Sequence, residues 1–383
     1  MRVLILHSRY LSGPASGENR VLEDEIGLLR RGGHEVDVWA PEPENVHGLK
    51  LLKAGAGAIW SGTAAERVRA LIRRNGVQIV HCHNLFPTLS PAVLRAASDE
   101  GCAVVMTLHN YRLMCLPSNF LRDGRVCEDC LGHVPWRGVK YKCYRDSTLG
   151  SAVMASSISL HRAAGTWDRV TLFLPVSRFL MDKHVEGGMS PGRFKVKHNF
   201  AWPAERREGP GDYFIHIGRM AYEKGGHVLI EAWRRSEPGR LLIVGGGPEA
   251  EEMNASGPPS VEFRGTVPGH EVPALIRGAR AVLLPSLWYE GAPRTILEAY
   301  AVGVPVLASR IGALPEVVEE GASGLLLEPG DPDAWAEGAE RLGDDNESVR
   351  LGNGGYRLWE RLYRPEVALA NLEEAYEDAL ARL

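Results

Sequence analysis

No stretch of this sequence approaches the roughly 20 consecutive apolar residues needed to span a bilayer. The amino terminus, "MRVLILHSR", has only a short apolar run behind its single arginine. That run fits a first β-strand better than a secretory leader. An excess of one charge is also missing, since 44 Lys and Arg against 48 Asp and Glu leave a formal net charge of -4. Such a balance sets up no global field that would recruit nucleic acid or a membrane, although local patches remain open. No solenoid-type repeat is present. An Asp-x-Asp string, which could ligate a metal ion, occurs once, as Asp331-Pro332-Asp333, and reads as a helix N-cap followed by Pro at N1. These shortages lead to the expectation of a cytoplasmic protein with no nucleic-acid partner, one that at most touches the inner face of a membrane peripherally.

What is present is an alternation. "RVLILHS" (2–8), the helical "ENRVLEDEIGLLRRG" (18–32) and "HEVDVWA" (34–40) set a βαβ rhythm, which "VQIVHCH" (77–83), "SPAVLRAASDEG" (90–101), "AVVMTLH" (103–109) and "VTLFLPVS" (170–177) continue. "NFAWPAERREGPGDY" (199–213) breaks it and reads as a linker. A second series follows with "YFIHIGR" (213–219), "RLLIVGGG" (240–247), "AVLLPSL" (281–287) and "VPVLAS" (304–309). The fold class expected is α/β, with two Rossmann-like doubly wound domains facing across a cleft, ligands binding at the carboxyl ends of the strands. The expected boundaries are 1–200, carrying an insert at about 110–148, then 211–360, then a helix at 361–383 whose helically spaced apolar residues must pack on something, the N-terminal domain being the expected partner.

In "YEGAPRTILEA" (289–299), Glu290 and Gly291 lie in the loop after a buried strand, and Pro293 falls where helix N1 belongs. The amides of Arg294, Thr295 and Ile296 would then point outward, and with the helix dipole they suit phosphate oxygens. Glu290 can face whatever the phosphate carries, and Glu298 can accept two hydroxyl hydrogen bonds from a ribose diol. Alternatively the pair is a loop charge and a solvated helix carboxylate.

"EGAPRTILEA" resembles the E-x7-E signature of the retaining glycosyltransferases of family 4, which have the GT-B architecture. "HIGRMAYEKGGHVLIEA" (216–232) is similar to the family's G-R-x-x-x-E-K-G element. The resemblance implies that Gly218, Arg219 and Lys224 meet the donor diphosphate, where fixed cations stabilise the charge that grows as the glycosidic bond breaks. "LLIVGGGPEAEEM" (241–253) resembles the V-G-x-G-P motif, in which Gly247 lets backbone approach the donor, and it also fits a G-x-G-x-x-A dinucleotide fingerprint, a weak signal on its own. "VEFRGTV" (261–267), with Thr266, matches the segment that meets the base, and Ala292 and Pro293 belong to the same donor site. In the first domain "SGPASGENR" (12–20) resembles the family's glycine loop, with Gly17 touching phosphate or sugar, although Ser16 stands where the family usually has a second glycine. His109, closing "MTLHNYR", matches the active-site histidine, while His81 and His83 end another strand and line the acceptor side.

The resemblance thus implies a transfer, with retention, from a nucleoside-diphosphate sugar to a glycan, polysaccharide or lipid-linked saccharide. His109, Glu290, Arg219 and Lys224 are the catalytic candidates. No cofactor is required for catalysis, and Glu290 is assigned to sugar binding rather than covalent attack. A sugar-nucleotide epimerase or hydrolase on the same architecture, and a noncatalytic sugar-nucleotide-binding protein, stay open as alternatives.

Four of the six cysteines, Cys115, Cys127, Cys130 and Cys143, fall in the insert, with Cys127 and Cys130 in a C-x-x-C knuckle. A structural Zn²⁺ site, a disulfide or redox pair, and plain thiols all fit this spacing, and an insert with few core residues would gain from a metal. Cys82 and Cys102 read as core thiols. "VPWRGVKYKCYR" (134–145) mixes Arg and Lys with Trp136, Tyr141 and Tyr144, which suits a membrane interface and equally a solvated loop.

Overall fold

The computed structural model describes residues 1–9, 17–42 and 55–383, and the chain divides into two compact units. The first holds Met1–Phe120, Glu128–Lys197 and Leu369–Leu383, and the second Leu121–Cys127 and His198–Ala368.

In the first unit, β1 (Arg2–Leu6), β2 (Glu35–Trp39), β3 (Ile79–Cys82) and β4 (Ala103–Leu108) pair in parallel. β7 (Leu172–Pro175) completes this sheet in the order β2-β1-β3-β4-β7, and the short antiparallel hairpin between β4 and β7 in the chain, β5 (Leu121–Arg122) with β6 (Arg125–Val126), belongs to the second unit. Every residue of β3 and β4 is buried, as central parallel strands covered on both faces must be. The edge strand β2 alternates charged and apolar residues and is mostly exposed, which discourages further pairing. Helices start and stop on local signals. Ser61 accepts a hydrogen bond from the Ala64 amide to cap Gly62–Asn75, and Gly76, in the left-handed region at φ 61°, ends it. The last helix, Pro365–Ala381, buries Leu372, Ala375, Tyr376 and Ala379 against Val3, Ile5, Ile79 and Val105 in the first unit's core.

The second unit holds one six-stranded parallel sheet. It comprises β8 (Tyr213–Ile217), β9 (Leu241–Val244), β10 (Val261–Gly265), β11 (Ala279–Leu284), β12 (Val306–Ser309) and β13 (Gly324–Leu327), ordered β10-β9-β8-β11-β12-β13. Both sheets are therefore doubly wound. Strand order reverses between β1 and β3 in one and between β8 and β11 in the other, and ligand crevices of such sheets open at the carboxyl ends of those pairs.

Two expectations change here. The 199–213 stretch is extended but is no loose linker: Phe200 and Ala201 are buried, and the Arg207 guanidinium donates to the carbonyls of Pro210, Ala279, Arg280 and Ser348. Its proline and charge content signals a lack of regular structure, which is not the same as a lack of packing. The insert is also better packed than its composition suggested, because Tyr111, Leu113, Met114, Leu116 and Phe120 are all buried. The Asp331-Pro332-Asp333 string is a helix start as expected, with the Asp331 carboxylate accepting from the amides of Asp333 and Ala334.

A buried histidine makes the first unit acid-sensitive. His184, in the helix Arg178–Glu186, donates from Nδ1 to the Leu180 carbonyl at 2.8 Å, and its Nε2 is buried with no partner among the described residues. Burial pushes this imidazole down to about 4. The unfolded chain takes up its proton near 6.5 while the folded chain does not until about 4, so this group costs stability as pH falls through that window, at ~1.4 kcal/mol per pH unit. Urea unfolding between pH 7 and 4.5 should show a pH dependence shallower by that amount in His184→Leu; identical slopes would show that His184 is not held neutral.

Candidate functional site

At the β8/β11 reversal the chain assembles a buried carboxylate and its donors. After β11 the loop runs through Pro285, Ser286, Leu287, Trp288 and Tyr289 to Glu290, which is buried. Its Oε1 accepts three hydrogen bonds, from Lys224 Nζ at 2.7 Å, Ser286 Oγ at 2.8 Å and Trp288 Nε1 at 2.8 Å. The Lys224 ammonium also lies 4.9 Å above the Trp288 ring, a cation–π placement. Burial works to raise the Glu290 carboxyl, but the Lys224 ammonium and these three donors outweigh it and hold the group below its ordinary value, hence ionised. Its Oε2 makes no hydrogen bond among the described residues.

Backbone fixes the two loops to each other. The Leu287 amide donates to the Glu223 carbonyl at 2.9 Å, and the Ala313 amide to the Glu290 carbonyl at 3.1 Å. Gly225, at φ 70°, turns the chain from Lys224 into the helix Gly226–Arg235, and a methyl group there would run into the Pro285 carbonyl. Lys224 thus reaches Glu290 because a glycine lets its loop lie on the end of β11.

Beside this pair is the start of the helix Arg294–Ala301. Pro293 is the cap residue and not N1, since its ψ of 124° is extended, and no side chain caps the helix. The Ile296 amide bonds the Pro293 carbonyl at 3.3 Å, whereas the Thr295 amide makes no hydrogen bond among the described residues. The anion site expected from three amides is therefore narrower at Ile296, whose side chain belongs to the core. Asn199 Nδ2 holds the Ala292 carbonyl at 3.2 Å, fixing the Gly291-Ala292-Pro293 turn. One oxygen of Glu298 is taken by Arg294, whose Nη2 donates to Oε1 at 2.9 Å, so at most its other oxygen is left for a diol.

The remaining candidates of the second unit surround this centre. Gly218 follows β8, half-buried, and its amide donates to the Val244 carbonyl at 3.0 Å. Arg219 is exposed and paired to Glu223 within its own loop. Gly247 is exposed, and a methyl group there would strike the Met220 carbonyl. The glycine is required by the approach of the chain's own backbone, a reason sequence reading had assigned to the donor. Thr266, also exposed, lies beside Gly246.

Sequence reading missed Ser286 and Trp288 as Glu290 ligands, and it missed His216. The latter donates from Nδ1 to the Leu283 carbonyl at 2.9 Å, leaves Nε2 buried without a partner among the described residues, and is pushed down to about 4 by burial, with Lys224 adding to the shift. Its position at i−2 to Gly218, on the strand that feeds the Arg219 loop, was the only available signal.

In the first unit, residues 12–16 of the glycine loop lie outside the described residues, and Gly17 is exposed at the start of the helix Gly17–Arg31. His109 follows β4, half-buried, and its Nε2 lies 2.9 Å from His83 Nδ1. His81 and His83 do not line a surface, being 0% and 3% exposed. Their alternate positions on the central strand β3 and just beyond it turn both side chains to the same face, toward Glu25. Cys82 and Cys102 are buried thiols. Cys115 is buried and Cys127, Cys130 and Cys143 are half-buried. Burial pushes the Cys115 thiol up to about 11, while amides of Phe120, Asn119 and Ser118 pull it the other way and Cys130 lies near enough to act on it.

Comparison with known proteins places these features. The profile described as "Glycosyltransferase Family 4" matches residues 15–201, and that described as "Glycosyl transferases group 1" matches residues 211–345. The O-antigen chain mannosyltransferase C of Escherichia coli is 26% identical over 385 residues, covering 95% of this chain and 94% of its own. The D-inositol 3-phosphate glycosyltransferase of Corynebacterium glutamicum (strain R) is 34% identical over 183 residues, 43% of each chain. Among solved structures, Anabaena HepE in complex with UDP and glucose superposes with a TM-score of 0.67 at 17% identity, over 98% of both chains. Sucrose-phosphate synthase from Thermosynechococcus elongatus does so with a TM-score of 0.69 at 17% identity, over 100% of both.

Proposed function

The chain belongs to glycosyltransferase family 4, and on that premise we propose that it transfers a sugar, with retention, from a nucleoside-diphosphate sugar to a hydroxyl of a glycan or lipid-linked saccharide. The observation that carries this reading is the ionised Glu290, held by Lys224 beside an uncapped helix start at a strand-order reversal. The donor diphosphate takes the Thr295 amide, Lys224 and Arg219, the last released from Glu223. The ribose takes the second oxygen of Glu298. As the bond from the anomeric carbon to the β-phosphate oxygen breaks, charge moves onto the diphosphate, where these cations and the helix dipole stabilise it without a metal ion.

Three hydrogen bonds on Oε1 spread the charge of Glu290 and make it a poor nucleophile, so its Oε2 is assigned to a sugar hydroxyl. The acceptor hydroxyl then attacks from the face the diphosphate leaves, giving its proton to the departing phosphate oxygen. His109 accepts a hydrogen bond from a sugar hydroxyl.

Deleting one member of the pair would strand a buried charge at a cost of about 3–5 kcal/mol. The informative variant is Lys224→Met with Glu290→Gln, neutral on both sides. It should keep its melting temperature within a few degrees, lose 100-fold or more in transfer, and bind UDP-sugars and GDP-sugars weakly by calorimetry. Transfer within tenfold of the parent chain would overturn the assignment.

We further propose that the insert's cysteines, Cys115, Cys127, Cys130 and Cys143, bind a structural Zn²⁺ that draws them together as it binds, since among the described residues no three of them are grouped at ligand distance. Burial opposes a thiolate at Cys115, amides directed at its sulfur partly offset that, and a bound cation would complete the compensation. Protein purified without chelator should carry one zinc per chain by elemental analysis, lost with folding cooperativity on chelation; a zinc content near zero rules the site out.

The acceptor side is proposed to meet an anionic membrane surface through the insert. Val134, Trp136 and Tyr141 are exposed there among Arg137, Lys140, Lys142 and Arg145. Sedimentation with vesicles containing phosphatidylglycerol should show binding that weakens with salt and drops in Trp136→Ser; no binding at low salt excludes it.

A further inference from the structure

Beneath the strand ends of the first unit lies a cluster of ionisable side chains that the transfer chemistry does not use. Glu25, from the helix Gly17–Arg31, is 2% exposed, and Lys197, which ends the unit's Glu128–Lys197 segment, is 6% exposed. The Lys197 ammonium donates to Glu25 Oε2. Glu25 Oε1 faces His83 Nε2 at 3.2 Å and His81 Nδ1 at 3.1 Å. His81 Nδ1 also meets the Tyr376 hydroxyl at 2.8 Å, and its Nε2 meets Thr107 Oγ1 at 2.7 Å. His83 Nδ1 lies 2.9 Å from His109 Nε2.

Glu25, His81 and His83 have ligand atoms within 4.8 Å of one another, as a metal would require. A cation site is nevertheless the wrong reading. The ammonium of Lys197 already sits on the carboxylate, and His83 Nδ1 and His81 Nε2 face other hydrogen-bonding groups. The cluster is a closed ion pair with imidazoles attached.

That closure dictates where the protons are. Burial works to raise the Glu25 carboxyl, but Lys197 and the two imidazoles outweigh it and hold the group far below its ordinary value, so it is ionised. An ionised carboxylate only accepts. His83, which burial pushes down to about 3 and so keeps neutral, must carry its single proton on Nε2 to donate to Glu25. Its Nδ1 is then a bare acceptor, and the group facing it, His109 Nε2, must be the donor. Burial also holds His109 neutral. Its one proton is therefore on Nε2 and its Nδ1 is bare. That Nδ1 makes no hydrogen bond among the described residues, at the half-buried end of β4.

We propose that Lys197, Glu25 and His83 are positioning residues that lock His109 in its Nε2–H tautomer, so that His109 presents Nδ1 as a hydrogen-bond acceptor for a hydroxyl-bearing ligand. The use of that acceptor for a sugar hydroxyl rests on the transferase reading; the tautomer does not. The relay carries no net proton transfer. It converts a buried charge into the orientation of a lone pair three groups away.

The test is made on the full chain, without ligand, labelled with ¹⁵N-histidine. Two-bond ¹H–¹⁵N correlation spectra at pH 7.5 identify which ring nitrogen of each histidine is protonated, with His109→Gln and His83→Gln assigning the signals. The unsubstituted chain should show both His83 and His109 as the Nε2–H form; a proton on Nδ1 of His109 overturns the proposal outright. In Glu25→Leu with Lys197→Leu, where no buried charge is stranded, His109 should become a mixture of tautomers and kcat should fall roughly tenfold or more, the scale for an imidazole's outer partner, with KM for the donor within about twofold. His83→Gln, whose amide can accept from His109 and donate to Glu25 together, should keep the tautomer and most of kcat. A folded double variant with an unchanged tautomer would also overturn the proposal. A tautomer as stated with no sugar transfer by any chain would sink the transferase reading and leave the relay standing.

Discussion

The second unit depends on one buried ion pair. Lys224 and Glu290 come from loops after different strands, 66 residues apart, and the ammonium helps hold the buried carboxylate ionised. In water such a pair gains little, and underground it repays desolvation only when the remaining lone pairs and protons find partners. Ser286 and Trp288 supply those partners on the carboxylate side, and the Trp288 ring does so on the ammonium side. The rest of the local backbone follows from keeping that geometry. Gly225 lets one loop lie on the end of β11, the Leu287 amide ties the loops together, and the Ala313 amide fixes the carbonyl of Glu290 itself.

The first unit solves a related problem by the same means. There, too, a lysine from a connecting segment neutralises a buried glutamate, and the pair sits under the strand ends flanking a reversal of order, β1 and β3. The outputs differ. Glu290 keeps one oxygen without a hydrogen bond among the described residues, whereas Glu25 is 2% exposed and both of its oxygens meet partners, His83 among them. Strand order explains why both pairs are where they are. A doubly wound sheet leaves one gap in which two loops diverge, and polar groups placed there are close to solvent yet flanked by apolar strands.

What could be read from the sequence follows the range of the interactions concerned. The apolar runs that became β1, β3, β4, β8, β9, β11 and β12 announce themselves within 4 to 7 residues, because burial on both faces demands continuous Val, Leu and Ile. The E-x7-E spacing is equally local, being fixed by one turn and one helix. The helix start at Asp331, the cap before a proline, needs three residues. Pairings across the sheet had no such trace. Nothing in the sequence around Glu25 marks it as the partner of Lys197, 172 positions away, since only the folded order of the strands brings the helix after β1 and the segment after β7 together. For the same reason His81 and His83 looked like surface ligands: their place at a strand end was legible, but the carboxylate drawing them inward was not.

The glycines show how a correct position can carry an incorrect reason. Gly247 stands in a motif that invites a phosphate, and its lack of a side chain was credited to the ligand. The carbonyl of Met220 already occupies that space, and the Met220 amide in turn bonds the Gly246 carbonyl at 2.9 Å. The loops after β8 and β9 are therefore stitched together before any ligand arrives. A site assembled this way spends no ligand binding energy on ordering those loops, which is the physical content of preorganisation. Arg219 is the exception, exposed and paired within its own loop. On the function proposed above a diphosphate would compete with Glu223 for it, which makes Lys224 with Glu290 the rigid half of the proposed site and the arginine four residues before Glu223 the adjustable half.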